Sequence, residues 1–159
     1  MITIQGSTLV LATATLTGAV LGATANILWE SWNKRKKRDN LRRAIWAEMM
    51  TVRPYLAGTF GPEGQFLRKT IYENNADDLT ILSDDEVEAI VAFYGHIINL
   101  QAAVNQSGDE TFDRNNTFAE AYMQSDVRVW FNHAVEQLYP HVDIDDGLDE
   151  VKIPGPVSL

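Results

Sequence analysis

The chain has 159 residues, a net charge of −9 and no cysteine, which leaves room for one anchor and one small domain. The missing thiol excludes disulfides, cysteine nucleophiles and cysteine-held zinc. Charge is uneven: residues 34–43 hold seven basic groups and one acid, a local +6 that leaves −15 on the remainder, and such an acidic remainder is repelled by nucleic-acid backbones, so DNA and RNA are not expected partners. The acid excess with few lysines also suits a cytoplasm of high ionic strength.

From Ile2 to Trp29 no residue is charged. A hydrocarbon layer of ~30 Å needs ~20 helical residues to cross it, and Ser7 to Trp29 supplies them. Lys34-Arg35-Lys36-Lys37-Arg38 follows at once, and basic residues beside a membrane helix stay on the cytoplasmic side. The expected fold is all-α: a single N-terminal transmembrane helix continuing into a cytoplasmic antiparallel helical bundle. The N-terminus is expected outside the cell membrane. The expected divisions are an anchor at 1–33, a basic juxtamembrane helix at 34–53, a bundle at 54–139 and an acidic flexible tail at 140–159. A secretory signal carries its charge before the apolar run; here the order is reversed. Ala23-Thr24-Ala25 resembles a cleavage site and Gln5-Gly6-Ser7 a pilin processing site, but export would draw the whole basic block through the membrane.

Trp29 and Trp32 flank the apolar end, where indole rings favour the headgroup layer. At ~100° per residue, Leu9, Leu16, Val20 and Ile27 share one stripe. Ser7, Ala14, Gly18, Gly22 and Ala25 share the opposite one, and Gly18-Ala-Val-Leu-Gly22 is a GxxxG. Small residues let helix backbones approach closely in lipid, so Ala14, Gly18, Gly22 and Ala25 form the expected helix–helix interface, with another copy or a different membrane protein. Thr8, Thr13, Thr15, Thr17 and Thr24 can lend their hydroxyls to backbone carbonyls. The basic cluster of Lys34, Arg35, Lys36, Lys37, Arg38, Arg42 and Arg43 is expected at the membrane surface. Positive-inside anchoring accounts for it, and attraction to anionic headgroups adds ~1 kcal/mol per basic residue near the surface.

Trp29 to Arg53 lacks Gly and Pro, and Leu41, Ile45, Met49 and Val52 keep helical spacing, so the membrane helix is expected to continue unbroken to Arg53 as one rod of ~45 residues. Pro54 predicts its end or a kink, and Gly58, Gly61-Pro62 and Gly64 a turn. Gln65 to Asn74 reads as a short helix burying Phe66, Ile71 and Tyr72, with a polar connection over Asn75 to Thr80. Ser83-Asp84-Asp85-Glu86 is a capping box. The helix it opens presents Val87, Ile90, Val91, Tyr94, Ile97, Ile98 and Val104 on one face, and Ser107-Gly108-Asp109 stops it. A last helix is expected from about Asn115 to Tyr139, with Phe118, Tyr122, Val129, Trp130, Ala134 and Leu138 in its stripe. Pro140 ends it, and His141 to Leu159 reads as an extended or disordered tail.

Nothing points to catalysis or a cofactor. His133 and Glu136, and Glu88 and His96, invite a metal, but a di-metal bundle site wants Glu-x-x-His on two helices and the chain has none. Asp143-Ile-Asp145-Asp146-Gly147 lacks the Gly and Glu that a calcium loop needs at its sixth and twelfth positions. No Ser, Thr or Lys stands in an activating motif. Tyr94, Tyr122, Trp46 and Trp130 read as core or boundary aromatics. Asn105-Gln-Ser107 and Asn115-Asn-Thr117 are glycosylation sequons that matter only outside the cell.

Thr17-Gly-Ala-Val-Leu-Gly-Ala23, the basic run Lys34 to Arg43, Ala44-Ile-Trp-Ala-Glu48 and the segment from Ile81-Leu-Ser-Asp-Asp-Glu-Val to Phe93-Tyr94 together resemble a loose group of uncharacterised small microbial single-pass membrane proteins. The resemblance covers about half the chain and implies an anchored helical bundle, with no catalytic residues. The expected function is a non-enzymatic, membrane-anchored interaction or scaffold protein, self-associating through its membrane helix. Two alternatives stay open: an accessory subunit of a larger membrane or viral assembly, and a membrane-bound enzyme whose site is not local in sequence.

Overall fold

A computed structural model describes the backbone of residues 3–57, 68–106, 111–142 and 148–153, and the side chains of 19, 21–57, 68–106, 117–142 and 150–153. The described residues are helical throughout, joined by turns and bends, with no strand. The chain forms two compact units, Met1–Lys37 and Arg38–Leu159. Helix α1, Thr3–Leu56, contributes to both.

In the first unit every described side chain from Ala19 to Lys37 is exposed. The second is a bundle built on the rest of α1. Leu41, Ile45, Met49, Val52 and Leu56 recur at helical spacing and are buried, so this stripe is the α1 side of the core. Pro54 does not end the helix, which runs on to Leu56. A proline so near the terminus removes only one ladder bond, and the final turn still closes through Ala57 N–H to Arg53 O at 2.9 Å.

Helix α2 covers Thr70–Asn74; Phe66 lies outside the described residues. The expected polar connection is a 3-10 helix, Ala76–Ile81, which buries Leu79. Helix α3, Asp84–Gln106, is the core helix. Glu86, Ile90, Phe93, Ile97, Leu100 and Val104 line its inner face. Val91 and Ile98, expected inside, are 42% and 38% exposed. Glu86 faces inward to an arginine of α1, and Phe93 and Leu100, each seven residues on, share its azimuth and are buried with it.

The expected last helix is two: α4, Thr111–Gln124, and α5, Val127–Leu138. Ser125 turns back through its N–H and Oγ to Tyr122 O at 3.2 and 3.0 Å, and a fresh helix starts after Asp126. The restart turns Val127, Phe131, Ala134, Val135 and Leu138 inward and leaves Val129 63% exposed. A short 3-10 helix, Tyr139–His141, follows. The expected flexible tail carries α6, Leu148–Val151, and buries Val151 and Ile153 in the core. Residues 143–147 and 154–159, with the Asp143–Gly147 acidic run, lie outside the described residues.

Helix α3 packs most extensively on α5, then on α4, and Phe93 meets Phe131 edge-on at 5.6 Å. Not every pairing is antiparallel. Arg42 and Glu48 of α1 contact Glu86 and Tyr94 of α3 in the same chain order, so these two helices run in the same general sense. Helix α5 runs against α1: Tyr122, just before it, bonds Leu56 O, while Tyr139, at its end, reaches Trp46 at 6.0 Å.

Among the described residues one helix, Asp84–Gln106, is long and apolar enough to cross a membrane. Its residues Ile90, Phe93, Tyr94 and Ile97 are wholly buried against the bundle, the pattern of a helix that serves as a core. The expected anchor spans 1–33, and the side chains of its residues 1–18 and 20 lie outside the described residues.

Candidate functional site

The first unit offers an exposed apolar surface that ends in aromatics and cations. Leu21, Ile27, Leu28 and Trp29 are 64%, 65%, 68% and 62% exposed, and Trp32 52%. Trp29 and Trp32 lie one turn apart with ring centroids at 5.4 Å. Lys36 Nζ stands 5.2 Å from the Trp32 ring, within cation–π range, and Lys34 pairs with Glu30 at 2.9 Å. Thr24 Oγ1 and Ser31 Oγ donate to Leu21 O and Leu28 O, each at 3.0 Å, so these hydroxyls are satisfied within the helix itself. A Cβ added at Gly22 meets nothing within 4 Å, and Ala25 is exposed. The side chains of Ala14 and Gly18 lie outside the described residues.

The seven-residue basic cluster does not stay together. Lys34, Arg35, Lys36 and Lys37 are exposed, as is Arg43, while Arg38 is half-buried and Arg42 is 5% exposed. Arg42 is a correction to the membrane-surface cluster. Its Nε and Nη2 donate to Glu86 Oε1 and Oε2 at 2.6 and 2.9 Å, and its Nη1 reaches Asp39 at 3.3 Å. It falls on the core side of α1, one position from Leu41, and the rotation that buries Leu41 carries it inward.

Glu86 serves two partners. It closes the capping box: Ser83 N–H and Oγ donate to Glu86 Oε2 at 2.8 and 2.9 Å, and Glu86 N–H donates to Ser83 Oγ at 3.3 Å. It also grips Arg42. Burial pushes its carboxyl up, but the bonds from Arg42 and Ser83 and the Arg42 charge outweigh that and hold it below its ordinary value.

Sequence reasoning missed a second buried carboxyl, Glu48, which is 3% exposed. Ile71 N–H donates to its Oε1 at 2.8 Å, and Tyr72 N–H and Tyr94 O–H donate to its Oε2 at 3.1 and 2.8 Å. It caps α2 and ties that helix to α1 and α3. Tyr72 stacks on Tyr94 at 4.3 Å and 9°. Burial, then the Glu48 charge and hydrogen bond, push the Tyr94 hydroxyl well above the ordinary tyrosine range. The signal was present: Glu48 lies between Ile45 and Val52 at core spacing, where a carboxyl needs donors to be tolerated.

A third feature is an open groove of about 410 Å³ on α5, lined by Val129, Trp130, Asn132, His133 and Glu136. The Asn132 side chain accepts from Ile153 N–H at 2.9 Å and donates to Ile153 O at 3.0 Å, which fastens the chain after α6. Glu136 is paired with Lys152 at 2.7 Å and stands 3.9 Å from His133. Lys152 chiefly holds its carboxyl below the ordinary value. Among the described residues no group of three or more acidic or histidine side chains could hold a metal ion. Glu86 and Glu48 are saturated with donors, so both act as fasteners between helices. No family model matches the chain, and neither the curated proteins nor the solved structures give a match.

Proposed function

We propose that this is a non-enzymatic, single-pass membrane protein that presents an acidic helical bundle to partners in the cytoplasm. One observation carries the reading: the helical segment from Leu21 to Trp32 leaves five large apolar side chains uncovered by protein, immediately before a run of exposed cations. In water such a surface is unfavourable at ~25 cal/mol per Å²; against hydrocarbon it is not. The charge-free sequence back to Ile2 supplies the length, and the basic run on the C-terminal side sets the N-terminus outside. The resemblance to small microbial single-pass proteins favours the same arrangement.

The small-residue row Ala14, Gly18, Gly22 and Ala25 is the proposed helix–helix contact, because small side chains let backbones approach closely in lipid, and at Gly22 the chain itself leaves open space for one. The Gly18→Leu/Gly22→Leu variant should lose oligomer in mild detergent while its bundle stays folded. Protease added to intact cells tests the topology. The C-terminal half should survive until the membrane is opened, and Asn105 and Asn115 should carry no sugar; digestion from outside would overturn the reading.

A further inference from the structure

We infer that Arg35, Lys36 and Lys37, with Lys34 partly offset by Glu30, form a cationic collar that gathers anionic phospholipid around the helix. The inference rests on the membrane reading above and adds the chemistry of the lipid that this segment selects.

The geometry favours lipid over a protein partner. Successive helical positions are ~100° apart, so residues 34–37 place a cation on every side of the helix. All four are exposed. A protein docks on one face and would be served by a one-sided patch; lipids surround a membrane helix on all sides. The depth also fits. Arg35 lies ~4.5 Å along the axis from Trp32, so its guanidinium stands at phosphate level if the indoles mark the headgroup layer. Lys36 rests on the Trp32 ring at 5.2 Å, which holds an ammonium at that level. Arg42 is excluded from the collar, since Glu86 takes two of its donors.

Basic side chains near an anionic surface attract its headgroups, and the attraction weakens as salt shortens the screening length to ~3 Å at 1 M. The full-length protein is reconstituted in phosphatidylcholine vesicles containing a minor fraction of phosphatidylserine. Spin-labelled versions of the two lipids report the motionally restricted shell by electron paramagnetic resonance. The expected result is a severalfold preference for phosphatidylserine that high salt removes. Arg35→Gln/Lys36→Gln/Lys37→Gln should abolish it and leave the phosphatidylcholine shell unchanged, while Arg68→Gln/Lys69→Gln should keep it. Equal association of both lipids with the wild-type protein, or a preference that survives the triple substitution, overturns the collar and leaves the membrane reading standing. No restricted lipid of either kind overturns both.

Discussion

Arg42 and Glu86 stand 44 residues apart in the chain, yet the guanidinium meets both carboxyl oxygens of Glu86, at 2.6 and 2.9 Å. The two side chains are only 7% and 2% exposed. Desolvating two charges offsets much of their attraction, so such a pair adds little net stability over an apolar replacement. What it does is fix how α1 and α3 lie together: Glu86 can close its capping box and hold Arg42 only at one rotation of α3.

Breaking that pair from one side should therefore cost more than replacing it. Arg42→Met or Glu86→Leu alone should destabilise the bundle by about 3–5 kcal/mol, because each leaves a buried charge uncompensated. The Arg42→Met/Glu86→Leu double variant should recover part of the loss; the cost of the capping box remains, at about 1 kcal/mol. Denaturant midpoints of the full-length protein, followed by near-ultraviolet circular dichroism, give the three values. A double variant as unstable as the sum of the singles would deny the coupling.

The pair also sets an acid limb on stability. Glu86 titrates below its ordinary 4.5 in the folded state. The unfolded chain thus binds the proton first as pH falls. The contribution of Glu86 is complete above 4.5 and is lost as pH drops through the lower folded value. Wild type should lose stability across that window faster than Glu86→Gln, whose side chain does not titrate. Parallel acid curves would remove Glu86 from the account.

Glu48 should matter through α2. Glu48→Ala removes the acceptor for Ile71 N–H, Tyr72 N–H and Tyr94 O–H, and each donor left without a partner costs about 1–3 kcal/mol where water cannot reach it. The specific readout is amide exchange: Ile71 and Tyr72 should lose protection before the rest of the bundle. Tyr94→Phe keeps the cap and should cost less, about 1 kcal/mol, with those two amides still protected.

Asn132 holds the end of the described chain. Asn132→Ala deletes both bonds to Ile153 at about 1–2 kcal/mol. Limited proteolysis should then cut after α6 sooner than in wild type. Unchanged cleavage would mean that burial of Val151 and Ile153 suffices to keep that segment down.

Some of this architecture is decided within a few residues of sequence. The Ser83–Glu86 capping box forms as its spacing dictates, and Leu41, Ile45, Met49 and Val52 are buried as their helical period requires. The charge break between Trp29 and Lys34 can be read without any structure. Each rests on neighbours one turn apart, whose geometry the helix fixes in advance. The remainder needed the packed bundle. Periodicity could not show that α3 turns Phe93 and Leu100 inward and Val91 and Ile98 outward, because apolar residues lie on both faces and the neighbouring helices decide which of them is covered. Nor could it separate Arg42 from the exposed cations beside it, reveal the helix restart at Ser125-Asp126, or show that Ile153 is buried against Asn132. A residue's period tells which neighbours share its face; only the helices that close over that face decide whether it meets solvent, a counter-charge or the core.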